Sequence, residues 1–227
     1  MSAGPDIPQR PAPRKGHSFH AWSDALASAQ PVPGGGAAAA LGGSLAASLV
    51  AMCARLTRDH EEYRDLTDTF GRMVVEADAV REDLMLLAEE DIMAYGAVSR
   101  ARRLPHGSED EGILRLINLN AALLGAAEVQ VAVLRLLQVA ASLARGAVEY
   151  GNRTTRADAA GASSLAAGAA RSAWLNVRND LALVRLEGTD TEDRDASRRA
   201  AVEREAAGLL AEVEADDRVV RGVMQLP

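Results

Sequence analysis

PVPGGGAAAAL, residues 31–41, is the stretch that decides how this chain folds. Its two prolines prevent a helix from running through the segment, because proline lacks an N–H and restricts the residue before it. Gly34, Gly35 and Gly36 then allow a sharp turn and a close approach by other groups. The alanines begin a long helix whose first N–H groups are free, a natural site for an anion or a flat polar ring. Tight helix starts of this kind also occur without a ligand, so the segment alone leaves both interpretations open.

The composition favours one all-helical domain. The 227 residues are enough for a sizeable core, and only 3% of them are aromatic while alanine and aliphatic residues dominate. That balance suits close helix packing better than a β-sandwich. Residues 1–17 are rich in proline and arginine and lack the apolar segment of a secretory signal. We therefore expect a flexible N-terminal arm over 1–17 and a single helical domain over 18–227.

Charge and cysteine content limit the partners. The net charge of −7 argues against non-specific nucleic-acid binding. Cys53 is the only cysteine, which excludes a disulfide framework and makes the cytoplasm the simplest location. The four histidines lack the spacing of a zinc site, so we expect no metal.

Residues 37–54 are uncharged and just long enough to span a membrane, but they are mostly Ala, Gly and Ser, so we expect a buried central helix and no membrane contact.

Apolar residues at intervals of three and four predict a bundle of long, mostly antiparallel helices. We expect a short helix over 20–29, capped by Ser18, and long helices over 36–58, 62–103, 108–149, 157–186 and 193–220. The breaks between them are predicted at the Pro and Gly residues of 104–107, at 150–152 and at 188–191. Ser108 and Glu111 form a capping-box pattern at the start of the 108–149 helix.

Asp91 interrupts an apolar face of the 62–103 helix. That face carries Leu66, Phe70, Met73, Ala77, Val80, Leu84 and Leu87, and its next positions are Asp91, Tyr95 and Val98. A buried carboxylate loses hydration and has a raised pKa, which suits a general acid or base. Alternatively, the helix rotates at its end and leaves Asp91 on the rim beside Glu89 and Glu90.

A second polar stripe lies on the 157–186 helix, where Asp158, Asn176 and Asn179 share one face. Asp158 is about 27 Å from Asn176 along the helix axis, so the two cannot share one small site. They can line different parts of a long ligand or two sites related by dimer symmetry. Asn176 and Asn179 are one turn apart and can hold the amide edge of one ring. The alternative is that Asp158 caps its helix and the asparagines bond neighbouring helices.

Arg100, Arg102 and Arg103 form a basic cluster at the end of the 62–103 helix. Such a cluster is commonly a solvated helix end that favours the helix dipole. It can also hold ligand carboxylates by paired hydrogen bonds.

An ordered set of motifs resembles the cyclodeaminase/cyclohydrolase family, which includes the cyclodeaminase domain of formiminotransferase-cyclodeaminase and stand-alone methenyltetrahydrofolate cyclohydrolases. The motifs extend over about residues 20–215: Pro33 to Gly36 before the Ala-rich helix, Leu56-Thr57, Tyr63, Glu90-Asp91 through Tyr95 to Leu104-Pro105, Gly151-Asn152, Ala157-Asp158-Ala159 and Asn176-Val177-Arg178-Asn179.

The resemblance implies an all-helical homodimer that takes a tetrahydrofolate derivative as substrate and needs no tightly bound cofactor. Family members hydrate the methenyl form to 10-formyltetrahydrofolate or close the formimino form with loss of ammonia. Both reactions pass through an amidine-like cationic carbon, which a carboxylate can stabilise. On this basis we expect Asp91 and Asp158 to be catalytic, and the substrate to be bound by Gly34, Gly35, Gly36, Tyr95, Asn152, Asn176 and Asn179.

Four positions depart from the family pattern. Ala37 replaces a Ser after the glycines, Arg55 an Asn before Leu-Thr, Gln130 the Pro of a Val-Pro pair, and Ala157 the Ser of Ser-Asp-Ala. Each lost contact to a ligand would cost about 1–3 kcal/mol. Two alternatives therefore stay open: a divergent enzyme acting on another amidine- or imine-type small molecule, and a non-catalytic helical subunit that binds a partner.

Overall fold

The fold is a bundle of long helices. The computed structural model describes residues 12, 14, 16–186 and 191–225. In these residues there is no strand, and the helices are α1 (Phe19–Leu26), α2 (Gly35–Arg58), α3 (Thr67–Arg102), α4 (Glu109–Tyr150), α5 (Arg156–Leu183) and α6 (Glu192–Met224). Short 3₁₀ turns, Glu61–Leu66 and Arg153–Thr155, precede α3 and α5. The predicted all-α bundle is confirmed.

Local capping signals fix two of the helix starts as predicted. The Ser18 hydroxyl accepts the N–H of Ala21 at 3.2 Å at the start of α1. At the start of α4, the N–H of Glu111 donates to the Ser108 hydroxyl at 3.3 Å, and the Glu111 carboxylate accepts the N–H of Ser108. This reciprocal pair satisfies N–H groups that have no partner within the helix.

Several predicted boundaries need correction. The α3 helix begins at Thr67 instead of about residue 62, because Glu61–Leu66 forms a 3₁₀ turn in which Tyr63 leaves helical geometry with φ −109° and ψ 17°. The α1 helix ends at Leu26 and α5 ends at Leu183, each three residues before its predicted end. Residues 188–190 of the predicted break at 188–191 lie outside the described residues, as does most of the predicted N-terminal arm over 1–17.

Small residues bring α2 into close contact with its neighbours. Ala40, Ala46 and Ala47 of α2 are fully buried. A Cβ at Gly43 would lie 2.5 Å from Leu137 Cδ2 and 3.0 Å from Leu84 Cδ1, so α3 and α4 approach α2 too closely for a side chain there. By length and composition both α2 and α4 could cross a membrane, but 61% of the apolar window of α2 is buried inside the bundle. These small residues thus let α2 pack closely against α3 and α4.

Candidate active site

Asp91 of α3 caps the N-terminus of α2. The residue preceding α2, Gly34, has no side chain with which to accept a helix N–H. Instead, Asp91 Oδ2 accepts the N–H of Ala37 at 3.0 Å. A carboxylate at a helix N-terminus is stabilised both by this bond and by the positive end of the helix dipole. Asp91 therefore points toward the glycine turn, and the alternative in which it lies on the rim beside Glu89 and Glu90 does not hold.

Gln130 of α4 holds the other oxygen of the same carboxylate. Its Nε2 donates to Asp91 Oδ1 at 2.7 Å, and the Gln130 side chain is fully buried. Gly36 lies directly against this pair. A Cβ on Gly36 would overlap both Asp91 Oδ1 and Gln130 Nε2 at distances that real Cβ atoms essentially never show. The third glycine of the turn is thus required by the contact between Asp91 and Gln130.

The α5 helix fixes the other side of the turn. The Ser172 hydroxyl donates to the carbonyl of Gly35 at 3.3 Å, and Asn176 Nδ2 donates to the carbonyl of Ser172 at 2.8 Å. A Cβ on Gly35 would lie 3.3 Å from Asn176 Nδ2, a tighter contact than most real Cβ atoms make. The glycines therefore let α3, α4 and α5 approach one helix end.

A cavity of about 290 Å³ opens at this meeting point. Its volume is at the lower end of the range for small-molecule sites. The residues that line it come from the glycine turn, α3, α4 and α5, and its polar members are Asp91, Tyr95, Arg102, Asn176, Asn179 and Asp180. Of the residues predicted to form a site, the structure brings together Gly34, Gly35, Gly36, Asp91, Tyr95, Asn176 and Asn179. Of the basic cluster, Arg102 lines the cavity.

The two carboxyl groups of the cavity have raised pKa values. Burial raises the pKa of Asp91, although its hydrogen bonds from Ala37 and Gln130 lower it in part. Burial also raises the pKa of Asp180 to about 6; the Asn179 hydrogen bond and the Arg102 charge oppose this shift, and the Asp91 charge adds to it. A carboxyl with a pKa near 6 exchanges protons readily at neutral pH.

Asp180 is a residue that the sequence analysis missed. It directly follows Asn179 and lies one position away from the polar stripe of α5. Its half-buried position beside the cavity depends on the glycine turn and the α3 side chains that line the same cavity, which the α5 sequence alone does not encode. The sequence feature that could have revealed Asp180 is a carboxylate that directly follows the second of two asparagines on one face of a helix.

Asn152 lies elsewhere, at the turn between α4 and α5. Its Oδ1 accepts from the N–H and the hydroxyl of Thr154 at 2.9 and 2.8 Å, and its N–H donates to the Thr57 hydroxyl at 2.9 Å. The adjacent Tyr63 hydroxyl accepts the N–H of Arg153 at 3.2 Å. Three motif residues, Thr57, Tyr63 and Asn152, thus converge to hold this turn, and Asn152 does not line the cavity.

Asp158 is also separate from the cavity. It is exposed in the first turn of α5, about 27 Å from Asn176 along the helix axis. Negative charge at a helix N-terminus is favourable without any ligand. Within one chain the structure therefore does not bring Asp158 or Asn152 together with Asp91, and their roles toward substrate remain predictions.

The structure shows the surroundings of the four residues that depart from the family pattern. The Ala37 side chain is fully buried, and its N–H is the group that Asp91 binds. Gln130 provides the bond to Asp91 that a proline could not donate. Arg55 forms an ion pair with Asp78 of α3. Ala157 is exposed beside Asp158. Two of these positions thus belong to the Asp91 cluster, and two lie outside it.

Two larger depressions do not combine carboxyl, amide and cationic side chains as the cavity at the glycine turn does. One of about 660 Å³ is a shallow surface depression along α3 that includes Arg58, Arg72 and Val75. One of about 360 Å³ lies between α4 and α6, where its charges pair with each other as Arg198–Glu128 and Arg135–Glu205. The described residues contain no group of three or more His, Cys, Asp or Glu that could hold a metal ion. The cavity at the glycine turn is therefore the candidate active site.

An all-helical bundle that directs two carboxyls of raised pKa into a small polar cavity has the features of an enzyme that transfers protons to and from a small molecule. Comparison with known proteins narrows this class. The formiminotransferase-cyclodeaminase family matches residues 18–214. The chain is 34% identical over 197 residues to a methenyltetrahydrofolate cyclohydrolase of Methylorubrum extorquens, covering 86% of this chain and 89% of that protein.

A solved structure supports the same family assignment. The crystal structure of formiminotetrahydrofolate cyclodeaminase from Thermotoga maritima superposes with a TM-score of 0.80 at 26% identity, covering 92% of this chain and 96% of that one. The chain belongs to the formiminotransferase-cyclodeaminase family, as the ordered motifs predicted.

Proposed function

We propose that this protein is a folate-dependent one-carbon enzyme that hydrolyses 5,10-methenyltetrahydrofolate to 10-formyltetrahydrofolate. Family membership and the relative named methenyltetrahydrofolate cyclohydrolase support the class of substrate. The observation that carries the proposal is the Asp91 carboxylate, held by Ala37 and Gln130 at the wall of a cavity that also contains Asp180. Anionic and proton-transferring groups suit a cationic substrate that reacts with water.

The chemistry at the methenyl carbon needs a base and an acid. That carbon joins two nitrogens and carries positive charge, so an ionised Asp91 attracts it. Asp91 takes a proton from a water whose oxygen adds to the carbon, while the electron pair of the C=N bond moves to nitrogen. The product of this step is a neutral carbinolamine, which must lose one of its two C–N bonds.

Asp180 is the group that we assign to the second step. With a pKa of about 6, part of its population is protonated near neutral pH and can give a proton to the departing nitrogen. As the C–N bond breaks, the carbinolamine hydroxyl becomes the formyl oxygen and returns its proton to Asp180. Asp91 releases the proton from water to solvent, so that one proton is produced for each substrate hydrolysed.

The remaining cavity residues suit the folate ring and tail. The side-chain amides of Asn176 and Asn179 lie one turn apart and can pair with the amide edge of the pterin. Tyr95 and Val98 provide flat and apolar surface, and Arg102 offers a cation to a carboxylate of the glutamate tail. A cavity of about 290 Å³ suits the ring system, with the tail extending past Arg102 toward solvent.

A second candidate is closure of formiminotetrahydrofolate with loss of ammonia. It is favoured by the structural similarity to the Thermotoga maritima cyclodeaminase. The same two carboxyls would serve this reaction, because it forms the same cationic carbon and needs a proton on the leaving amine. In the hydrolysis, water adds to the carbon and a folate nitrogen leaves it, whereas in the closure a folate nitrogen adds to the formimino carbon and ammonia leaves.

We also propose a cytoplasmic homodimer without nucleic-acid or membrane partners. An exposed apolar face on α2, formed by Leu45, Met52 and Leu56, is a surface that a second copy can cover. The buried free thiol of Cys53 requires no oxidising compartment. Light scattering of the purified protein tests the assembly: a dimer mass supports it and a monomer mass contradicts it.

The function is tested by offering both folates to the purified protein. Loss of methenyltetrahydrofolate absorbance faster than in buffer, without ammonia release from the formimino form, is expected for a cyclohydrolase. Ammonia release at a higher kcat/KM would favour the second candidate. Absence of both activities in folded protein would overturn the proposed function.

A further inference from the structure

Gln130 forms a side-chain hydrogen bond with Asp91 but does not itself line the cavity. Its side chain is fully buried, and Nε2 donates to Asp91 Oδ1 at 2.7 Å. A buried amide in a helix core is costly unless it is hydrogen-bonded. The hydrogen bond to Asp91 is therefore what offsets the cost of burying the Gln130 amide.

The other end of the same amide is unsatisfied. Within the described part of the chain, Gln130 Oε1 is buried and has no hydrogen-bond partner. An unpaired buried carbonyl is destabilising, so its retention needs an explanation. Because Nε2 and Oε1 exchange places when the amide turns by half a revolution, Oε1 can reach the position from which Nε2 now donates.

Asp91 needs a different partner in each of its protonation states. As a carboxylate it accepts hydrogen bonds only, and Nε2 of Gln130 supplies one. As a carboxylic acid it has a proton to donate, and Oε1 after the half-turn would accept it. Ala37 stays bonded to Oδ2 in either state, so the carboxyl keeps its orientation.

We propose that Gln130 is a positioning residue that holds Asp91 against the glycine turn in both protonation states of its carboxyl. Its importance for turnover rests on the function proposed above, whereas its contact with Asp91 does not. The bond to the ionised form is the stronger one, because charge-assisted hydrogen bonds are about twice as strong as neutral ones. Loss of the amide therefore favours the protonated form.

Other charged groups near Asp91 must be separated from this effect. The α3 helix contributes Arg102 and Tyr95 to the cavity, and α5 contributes Asp180. The α2 helix presents only backbone there, and α4 presents Gln130 and the apolar Ala126. Replacing Gln130 by Met changes none of the charges and keeps a side chain of similar length.

The test compares Gln130→Met with Gln138→Met, a matched change two turns further along α4 and about 12 Å away along the helix axis. Carboxyl ¹³C NMR of the substrate-free protein gives the pKa of Asp91, assigned with Asp91→Asn. We expect Gln130→Met to raise this pKa by about one unit and Gln138→Met to leave it within about 0.3 unit. The acidic limb of the pH–kcat/KM profile should shift to higher pH by the same amount.

A second measurement uses the wild-type protein, in case Gln130→Met does not fold. The side-chain amide resonances of Gln130 should shift with the same midpoint pH as the Asp91 carboxyl carbon. An unchanged Asp91 pKa in folded Gln130→Met, or Gln130 resonances that ignore the Asp91 titration, would overturn the proposal. Neither NMR readout requires a folate, so both are independent of whether the proposed function is right.

Discussion

Asp91 Oδ2 accepts the backbone N–H of Ala37 at 3.0 Å, so a side chain of α3 caps the N-terminus of α2. The contact joins positions 54 residues apart in the sequence. The same carboxylate satisfies the helix end and faces the cavity in which we propose that it transfers protons. Tests of the chemistry must therefore use substitutions that keep the cap.

Asp91→Asn separates the two parts of this residue. The Asn oxygen can still accept the Ala37 N–H, so we expect the free energy of unfolding to change by less than about 1 kcal/mol. Loss of the acid/base group should lower kcat by roughly 10²–10⁴-fold. Glu90→Gln, which removes a neighbouring exposed charge, is the matched control and should keep wild-type activity. An Asp91→Asn protein with kcat within about threefold of wild type would exclude the proton-transfer role.

Gly36→Ala should displace the Asp91–Gln130 pair, because the added Cβ would overlap both groups. We expect a loss of about 1–3 kcal/mol in the free energy of unfolding, together with a large fall in kcat. Gly42→Ala is the matched control on α2, since its Cβ would make an ordinary contact of 3.7 Å with Ala169. Urea denaturation should show Gly42→Ala to be at least as stable as wild type. Equal stability and activity in the two variants would mean that Gly36 is not needed for the contact.

Asp180→Asn should change the pH dependence of stability. The pKa of Asp180 is about 6 in the folded protein, above the value of about 3.9 in the unfolded chain. The folded state therefore binds more protons between these values, and stability falls as pH rises through this window. The full shift corresponds to at most about 3 kcal/mol, and partial exposure of the group reduces this to roughly 1–2 kcal/mol.

Urea denaturation of substrate-free protein checks this sign. At about pH 8 we expect Asp180→Asn to be more stable than wild type by roughly 1–2 kcal/mol, and at about pH 4 to be nearly equal to it. A gain of the same size at both pH values would show that the substitution acts through packing. A loss confined to high pH would show that the ionised carboxylate is stabilising.

Arg102→Ala should weaken substrate binding more than it slows chemistry. Arg102 lines the cavity at the end of α3, where it can pair with a carboxylate of the folate tail. We expect KM to rise about tenfold or more, with kcat within about threefold of wild type. The adjacent Arg103→Ala should leave KM unchanged, since Arg103 is not among the residues that line the cavity. Equal effects of the two variants would indicate a general charge effect.

The helical architecture could be predicted from the sequence because its signals are local. The Ser108–Glu111 capping box and the three-four spacing of apolar residues on α3 are encoded within a few turns of chain. The start of α3 was misplaced because residues 61–66 have ordinary helix-forming composition, and only the non-helical geometry of Tyr63 separates them from the helix. Boundaries of this kind depend on packing as well as propensity.

The candidate site could be predicted only in part. The glycine turn, Asp91 and the two asparagines of α5 were visible as breaks in apolar patterns. Gln130 was visible only as a departure from a family motif, because its bond to Asp91 spans 39 residues. Asp180 was missed since its place at the cavity wall depends on distant parts of the chain, among them Asp91 and Arg102 of α3. Asn152 was grouped with the site by motif order, whereas its bonds are to Thr154 and Thr57.

The most direct test is the rate at which purified protein removes methenyltetrahydrofolate, followed by absorbance for wild type, Asp91→Asn and Glu90→Gln side by side. We expect wild type and Glu90→Gln to hydrolyse the substrate well above the buffer rate, and Asp91→Asn to fall by roughly 10²–10⁴-fold while remaining folded. Wild-type protein that is folded and yet no faster than buffer, or an Asp91→Asn variant as fast as wild type, would contradict the assignment of Asp91 as the proton-transferring group of a folate cyclohydrolase.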